Sequence, residues 1–177
     1  MMTAAVAAMM IACGASARAQ EVAREQSIKA AFIYKFGEFV TWPAASWTVG
    51  DFHICTLGDP GIAALIAQLA ETERVSGRHV VARSLESTRD SNRCHVVFIS
   101  ASASIAAADR QGLLHKPILI VTDTGRPATE PAMIHFVIRE DRVRFSIDDR
   151  LAADSGLAIS SKLLSVALSV RRRQPER

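Results

Sequence analysis

The runs Cys94-His95-Val96-Val97-Phe98-Ile99 and Pro117-Ile118-Leu119-Ile120-Val121-Thr122 stand about one helix apart and are apolar almost throughout. A strand with one wet face alternates apolar and polar residues, whereas a strand covered on both faces reads as a continuous apolar run. The intervening residues 102–114 are rich in Ala and include Ile105 and two leucines, a helical composition. Buried strand, helix, buried strand is the signature of a largely parallel sheet with helices packed on both faces.

Working outward, residues 28–40 place Ile28, Ala31, Phe32, Phe36, Phe39 and Val40 at helical spacing, with Lys29, Lys35 and Glu38 at other positions. The pattern predicts a helix ended by Trp42-Pro43, because proline pushes the residue before it into an extended conformation. A strand is expected at 52–57. In Gly58-Asp59-Pro60-Gly61, Asp59 can cap a helix over 62–70 and Pro60 can take its first position. Residues 74–78 read as a polar turn, 79–83 as a short strand and 90–93 as a second turn.

Beyond residue 122 the pattern changes. Met133-Ile134-His135-Phe136-Val137-Ile138 and Val143-Arg144-Phe145-Ser146-Ile147 flank Arg139-Glu140-Asp141-Arg142 and read as an antiparallel hairpin at the sheet edge. Asp148 and Asp149 open a short helical turn ended by Gly156, and Ser160-Ser161 cap a last helix over 162–170. The expected fold is a single three-layer α/β domain with a largely parallel sheet, helices on both faces and an antiparallel edge hairpin.

The chain opens with an apolar stretch, 4–12, followed by Ala17-Arg18-Ala19, a pattern read by signal peptidase. Residues 1–19 are therefore read as a signal peptide and 20–177 as the exported domain; Met10-Ile11-Ala12-Cys13 offers a lipoprotein reading as the alternative. Removing 19 residues from the 177 leaves 158, enough for one domain with a sizeable core. It also leaves 20 basic against 18 acidic residues, a balance that gives no electrostatic argument for nucleic acid. The basic run Arg171-Arg172-Arg173 reads as a solvated tail after the last helix.

Outside the leader only Cys55 and Cys94 remain, and an even count in an oxidising compartment reads as a disulfide. Two buried free thiols are the plain alternative. A thiol oxidoreductase using this pair is a further one, although no C-x-x-C is present.

The five histidines, His53, His79, His95, His115 and His135, are scattered, and none pairs with another His or Cys at zinc-binding spacing. There is no G-x-S-x-G, P-loop or G-x-G-x-x-G, so neither catalytic residues nor a cofactor or metal is expected. Asp123-Thr124-Gly125-Arg126-Pro127 follows an apolar strand, at the end where open α/β sheets bind ligands. Asp123 is accordingly a candidate, together with Trp42, for lining a pocket in a small-molecule sensor.

Seven segments taken in order resemble the YfiR family: Lys29-Ala30-Ala31-Phe32-Ile33-Tyr34-Lys35-Phe36, Phe39-Val40-Thr41-Trp42-Pro43, Ile54-Cys55-Thr56-Leu57-Gly58-Asp59, Cys94-His95-Val96-Val97-Phe98-Ile99-Ser100, Pro117-Ile118-Leu119-Ile120-Val121-Thr122-Asp123, Val143-Arg144-Phe145-Ser146-Ile147-Asp148, and Leu157-Ala158-Ile159-Ser160-Ser161-Lys162-Leu163-Leu164. The resemblance implies a periplasmic regulator, not an enzyme. In its best-known members the protein binds the periplasmic part of an inner-membrane diguanylate cyclase, holds it inactive, and is sequestered by an outer-membrane lipoprotein. It further implies a homodimer, a redox response through disulfides, and a binding region near the Trp-Pro corner and the start of the last helix, here Thr41, Trp42, Ser160, Ser161 and Lys162. The chain departs from those members in having no second cysteine pair near the hairpin, where Phe136 and its neighbours stand.

Overall fold

A computed structural model describes residues 4–47 and 50–173, with side chains from residue 18 onward. The main sheet is built from strands β2 (Phe52–Leu57), β3 (Arg74–Val75), β4 (Arg78–Leu85), β5 (Val96–Ile99), β6 (Leu119–Thr122), β7 (Ile134–Arg139), β8 (Arg142–Asp148) and β10 (Ser169–Arg171). Their order across it is β10-β8-β7-β6-β5-β2-β4-β3. From β4 to β7 every neighbour is parallel, and β7–β8 is an antiparallel hairpin. At its turn Glu140 and Asp141 both take positive φ, the geometry that matches the twist of the flanking strands. The expected α/β architecture is therefore the one observed, with one addition: β10 pairs parallel to β8 and lies outside the hairpin.

The apolar runs form the central strands, and every residue of β2, β5 and β6 is buried. Helix α1 (Ala4–Phe36) crosses one face, where Phe32 and Phe36 meet Phe145 at ring distances of 5.5 and 5.1 Å and Phe136 at 6.2 and 5.9 Å. Helix α2 (Pro60–Thr72) packs beside it. Its start follows the sequence reading: Asp59 Oδ1 accepts the Ile62 N–H at 2.9 Å, and Pro60 sits in the first turn. The other face carries the 3-10 segment Thr88–Arg93 and the short helix α3 (Ala107–Gln111).

Four expectations yield to tertiary structure. The helix predicted over 28–40 begins already at Ala4, within the apolar stretch 4–12, and stops at Phe36. It stops there because Gly37 passes against β2: a Cβ on Gly37 would lie 2.9 Å from the Phe52 ring. Of the helix predicted over 102–114 only α3 forms. Arg126 takes the carbonyls of Ser100 and Ala103 at 3.1 and 2.8 Å, and the Ser102 hydroxyl donates to the Gly58 carbonyl, so this backbone is committed to other partners.

The polar turn at 74–78 is a small hairpin, β3 against β4, closed by Ser76 and Gly77 at positive φ. The last helix, α5 (Ser161–Val166), is shorter than the expected 162–170, because the chain turns back into β10. The basic run is correspondingly not a free tail. Arg171 pairs with Asp148 at 3.3 Å, and Arg173 donates two hydrogen bonds to buried Asp149 at 2.8 and 3.1 Å, which raises its own pKa.

Cys55 on β2 and Cys94, just before β5, form a disulfide with Cα atoms 5.9 Å apart. Both cysteines are buried. Because the bridge closes a 39-residue separation, replacing both cysteines with Ala should lower unfolding free energy by about 4 kcal/mol, read from urea denaturation. A reductant added to the wild type should reproduce that loss.

Candidate functional site

After α1 the chain runs through β1 (Val40–Thr41) to Trp42-Pro43 and a 3-10 turn, Ala44–Trp47. Strand β1 pairs antiparallel with β9 (Ala158–Ile159), with Val40 opposite Ile159 and Thr41 opposite Ala158. The Ser160 N–H donates to the Phe39 carbonyl at 2.9 Å, and Ser160 Oγ accepts the Leu163 N–H at 3.3 Å to cap α5. A two-residue ladder joins segments over a hundred residues apart in the chain, but its register sets Thr41 opposite Ala158 and Ser160 beside Phe39, so Thr41 and Trp42 leave it at one end and Ser161 and Lys162 at the other.

Their roles differ. Thr41, Ser161 and Lys162 are exposed, and Ser160 is half-buried. Trp42 is only 4% exposed and works from behind, its ring edge-on to Phe52 at 5.2 Å and to Trp47 and His95 at 6.1 Å each. Trp47 in turn stacks on His95 at 5.0 Å and carries the Arg78 guanidinium over its face at 4.4 Å. The Trp42 end of this corner therefore rests on an aromatic cluster.

Asp123 does not join it. The central strands are parallel, so Trp42, packed on the first residue of β2, and Asp123, just past the end of β6, lie at opposite ends of the sheet. The shared pocket expected for these two residues does not form. Asp123 instead faces Lys29 of α1, whose ammonium also meets Glu25 at 2.5 Å, and accepts the Thr124 N–H at 2.8 Å.

Beside this pair, Arg126 donates to Glu130 at 2.5 and 3.0 Å, and Arg110 approaches Glu130 at 3.3 Å. Sequence reading missed this network because Lys29 looked like a solvent-facing helix residue and Arg126 like part of a turn. The i,i+4 spacing of Arg126 and Glu130, following a buried strand, is the one hint the sequence carried.

The histidines near the cysteines are also committed. His95 Nδ1 accepts the His53 N–H at 3.0 Å, which places its proton on Nε2, where it donates to the Ser46 carbonyl at 3.2 Å. With both ring nitrogens in use and Cys94 in a disulfide, the adjacent pair has no nucleophile-and-base geometry. Burial is the main cause that holds the pKa of His95 below its usual value, against the bond to Ser46. Among the described residues no cluster of His, Cys, Asp or Glu could hold a metal ion.

The fold is a small α/β domain whose short β1–β9 ladder forms a corner outside the main sheet. The chain belongs to the YfiR/HmsC-like family, whose model matches residues 26–168. At the level of the family this makes it a periplasmic regulator of cyclic di-GMP signalling, and family membership implies interaction with a diguanylate cyclase partner. No curated protein matches the sequence. Among the described residues no helix is long and apolar enough to cross a membrane.

Two outcomes follow from these environments. Lys29→Ala should cost about 3–5 kcal/mol in urea unfolding, because it strands the Asp123 carboxylate in a buried site, whereas exposed Lys162→Ala should stay within about 0.5 kcal/mol. The depressed His95 pKa means that below the unfolded value of about 6.5 the unfolded chain takes up a proton that the folded chain refuses. Stability should be flat above pH 7 and fall from pH 6.5 to 5.5. His95→Asn, which keeps an acceptor for the His53 N–H, should reduce that fall.

Proposed function

We propose that the protein is exported by its leader and acts as a periplasmic repressor, docking on the periplasmic segment of an inner-membrane diguanylate cyclase and holding it inactive. An outer-membrane lipoprotein that competes for the repressor would release the enzyme, and cyclic di-GMP would then be made on the cytoplasmic side. The observation that carries this reading is the family match over residues 26–168. Supporting it, Lys29 pairs with Asp123 and Arg126 with Glu130 at the carboxyl ends of the strands, and both ring nitrogens of His95 are held in hydrogen bonds to the backbone, as regulation by docking allows.

The docking surface we assign is the exposed part of the corner, Thr41, Ser160, Ser161 and Lys162, with Trp42 holding it in shape. Its position suits a contact surface. Two chain segments meet through only a two-residue ladder, so side chains can change there without disturbing the main sheet. A homodimer would present two such corners, as members of the family do by resemblance.

Detergent-solubilised membranes passed over the immobilised protein should yield a membrane protein with a cyclase domain, and deleting the gene should raise cyclic di-GMP. Thr41→Arg combined with Lys162→Glu should weaken capture at least tenfold while shifting the melting temperature by no more than a few degrees. Recovery of no cyclase, together with unchanged cyclic di-GMP on deletion, would overturn the reading.

A further inference from the structure

On the other side of the Ala44–Trp47 turn lies a separate cavity of about 270 Å³ at the N-terminal ends of β5 and β6. It is walled by Ser46, Arg93, Cys94, His95 and Lys116, with Asn92 at its rim. None of its lining residues is acidic. Among the described residues neither Arg93 nor Lys116 has a carboxylate partner within salt-bridge distance, although most other basic side chains near a cavity in this domain do. Ser46, on the same wall, has its carbonyl taken by His95, and its hydroxyl is closed off from solvent without a hydrogen-bond partner.

Two cations without carboxylate partners and an amide around one hollow make a site for negative charge. A guanidinium offers a planar fork to two oxygens and an ammonium a point charge, and buried polar groups left unpaired are costly until something pairs them. The volume lies just below the range of drug-sized pockets, so the occupant is small. We propose that this cavity binds a small organic anion through a single phosphate or carboxylate group held between Arg93 and Lys116, with Asn92 completing its hydrogen bonds.

The site is distinct from the Thr41–Lys162 surface but shares the Ala44–Trp47 turn with it, since Pro43, Ala45 and Ser46 form one wall. An anion seated there ties that turn to the Thr88–Arg93 segment and so stiffens the back of the corner. This inference stands whether or not the partner is a cyclase.

Thermal melts of the full exported domain in inorganic phosphate and, separately, in sodium acetate, each against sodium chloride of equal ionic strength, test it. A saturable rise of about 4 °C at ten times the dissociation constant is expected for at least one anion, and which one responds identifies the group that binds. Arg93→Gln with Lys116→Gln should abolish the rise. Arg93→Lys with Lys116→Arg should keep it, which separates lost charge from lost folding, and Arg172→Gln should leave it intact. No saturable rise over chloride for either anion, or a rise that survives the double Gln variant, overturns the proposal.

Discussion

Helix α1 is held across the sheet at both of its buried ends, and the rest of the molecule is arranged around that placement. At one end the Lys29 ammonium lies against Asp123 beyond β6; at the other the chain leaves the helix through Gly37, pressed on the Phe52 ring at the start of β2. Between these points Phe32 and Phe36 interlock with Phe136 and Phe145. A buried ion pair contributes little net stability, since desolvation offsets most of its attraction, but it tolerates few alternative positions. The aromatic contacts supply the burial and the charge pair sets where along the sheet the helix stops.

That stopping point decides where the corner forms. Three residues after α1 the chain is extended as β1, and β9 pairs with it, so Trp42 drops into the aromatic cluster while Thr41 stays in solvent. Tyr34, one turn before the helix ends, is buried with its hydroxyl unpartnered, and burial pushes its pKa up to about 12. A neutral phenol is accepted there as packing material, which shows how far apolar burial outranks polar satisfaction along this helix.

What could be read from the chain was whatever local chemistry dictates. The unbroken apolar runs of β5 and β6 gave the parallel sheet, and Asp59-Pro60 gave the start of α2. The segments that escaped sequence reading share a cause: their backbone groups are claimed from far away. Residues 102–106 have helical composition, yet Arg126 and Gly58 hold that stretch extended, and residues 169–171 form a strand only because β8 offers an open edge. The candidate surface was legible only through resemblance. Nothing in the composition of Thr41 or Ser160 indicates that a hydrogen bond from Ser160 to the Phe39 carbonyl will join their two segments in one ladder.

A parallel sheet has two chemically different ends, and ligands in open α/β folds ordinarily collect at the carboxyl ends of the strands. Here that end is filled by its own charges: Lys29 and Asp123 neutralise one another, and Arg126 and Arg110 share Glu130. Among the described residues the Arg110 Nε is a donor of that network left without a partner. The opposite end is built differently, with Trp42, Trp47, Phe52 and His95 stacked together and the Trp42 indole N–H, the Ser46 hydroxyl and both His53 nitrogens without partners. More of the unspent hydrogen-bonding capacity therefore lies beneath the Trp42 end of the corner than in the crevice usual for the fold.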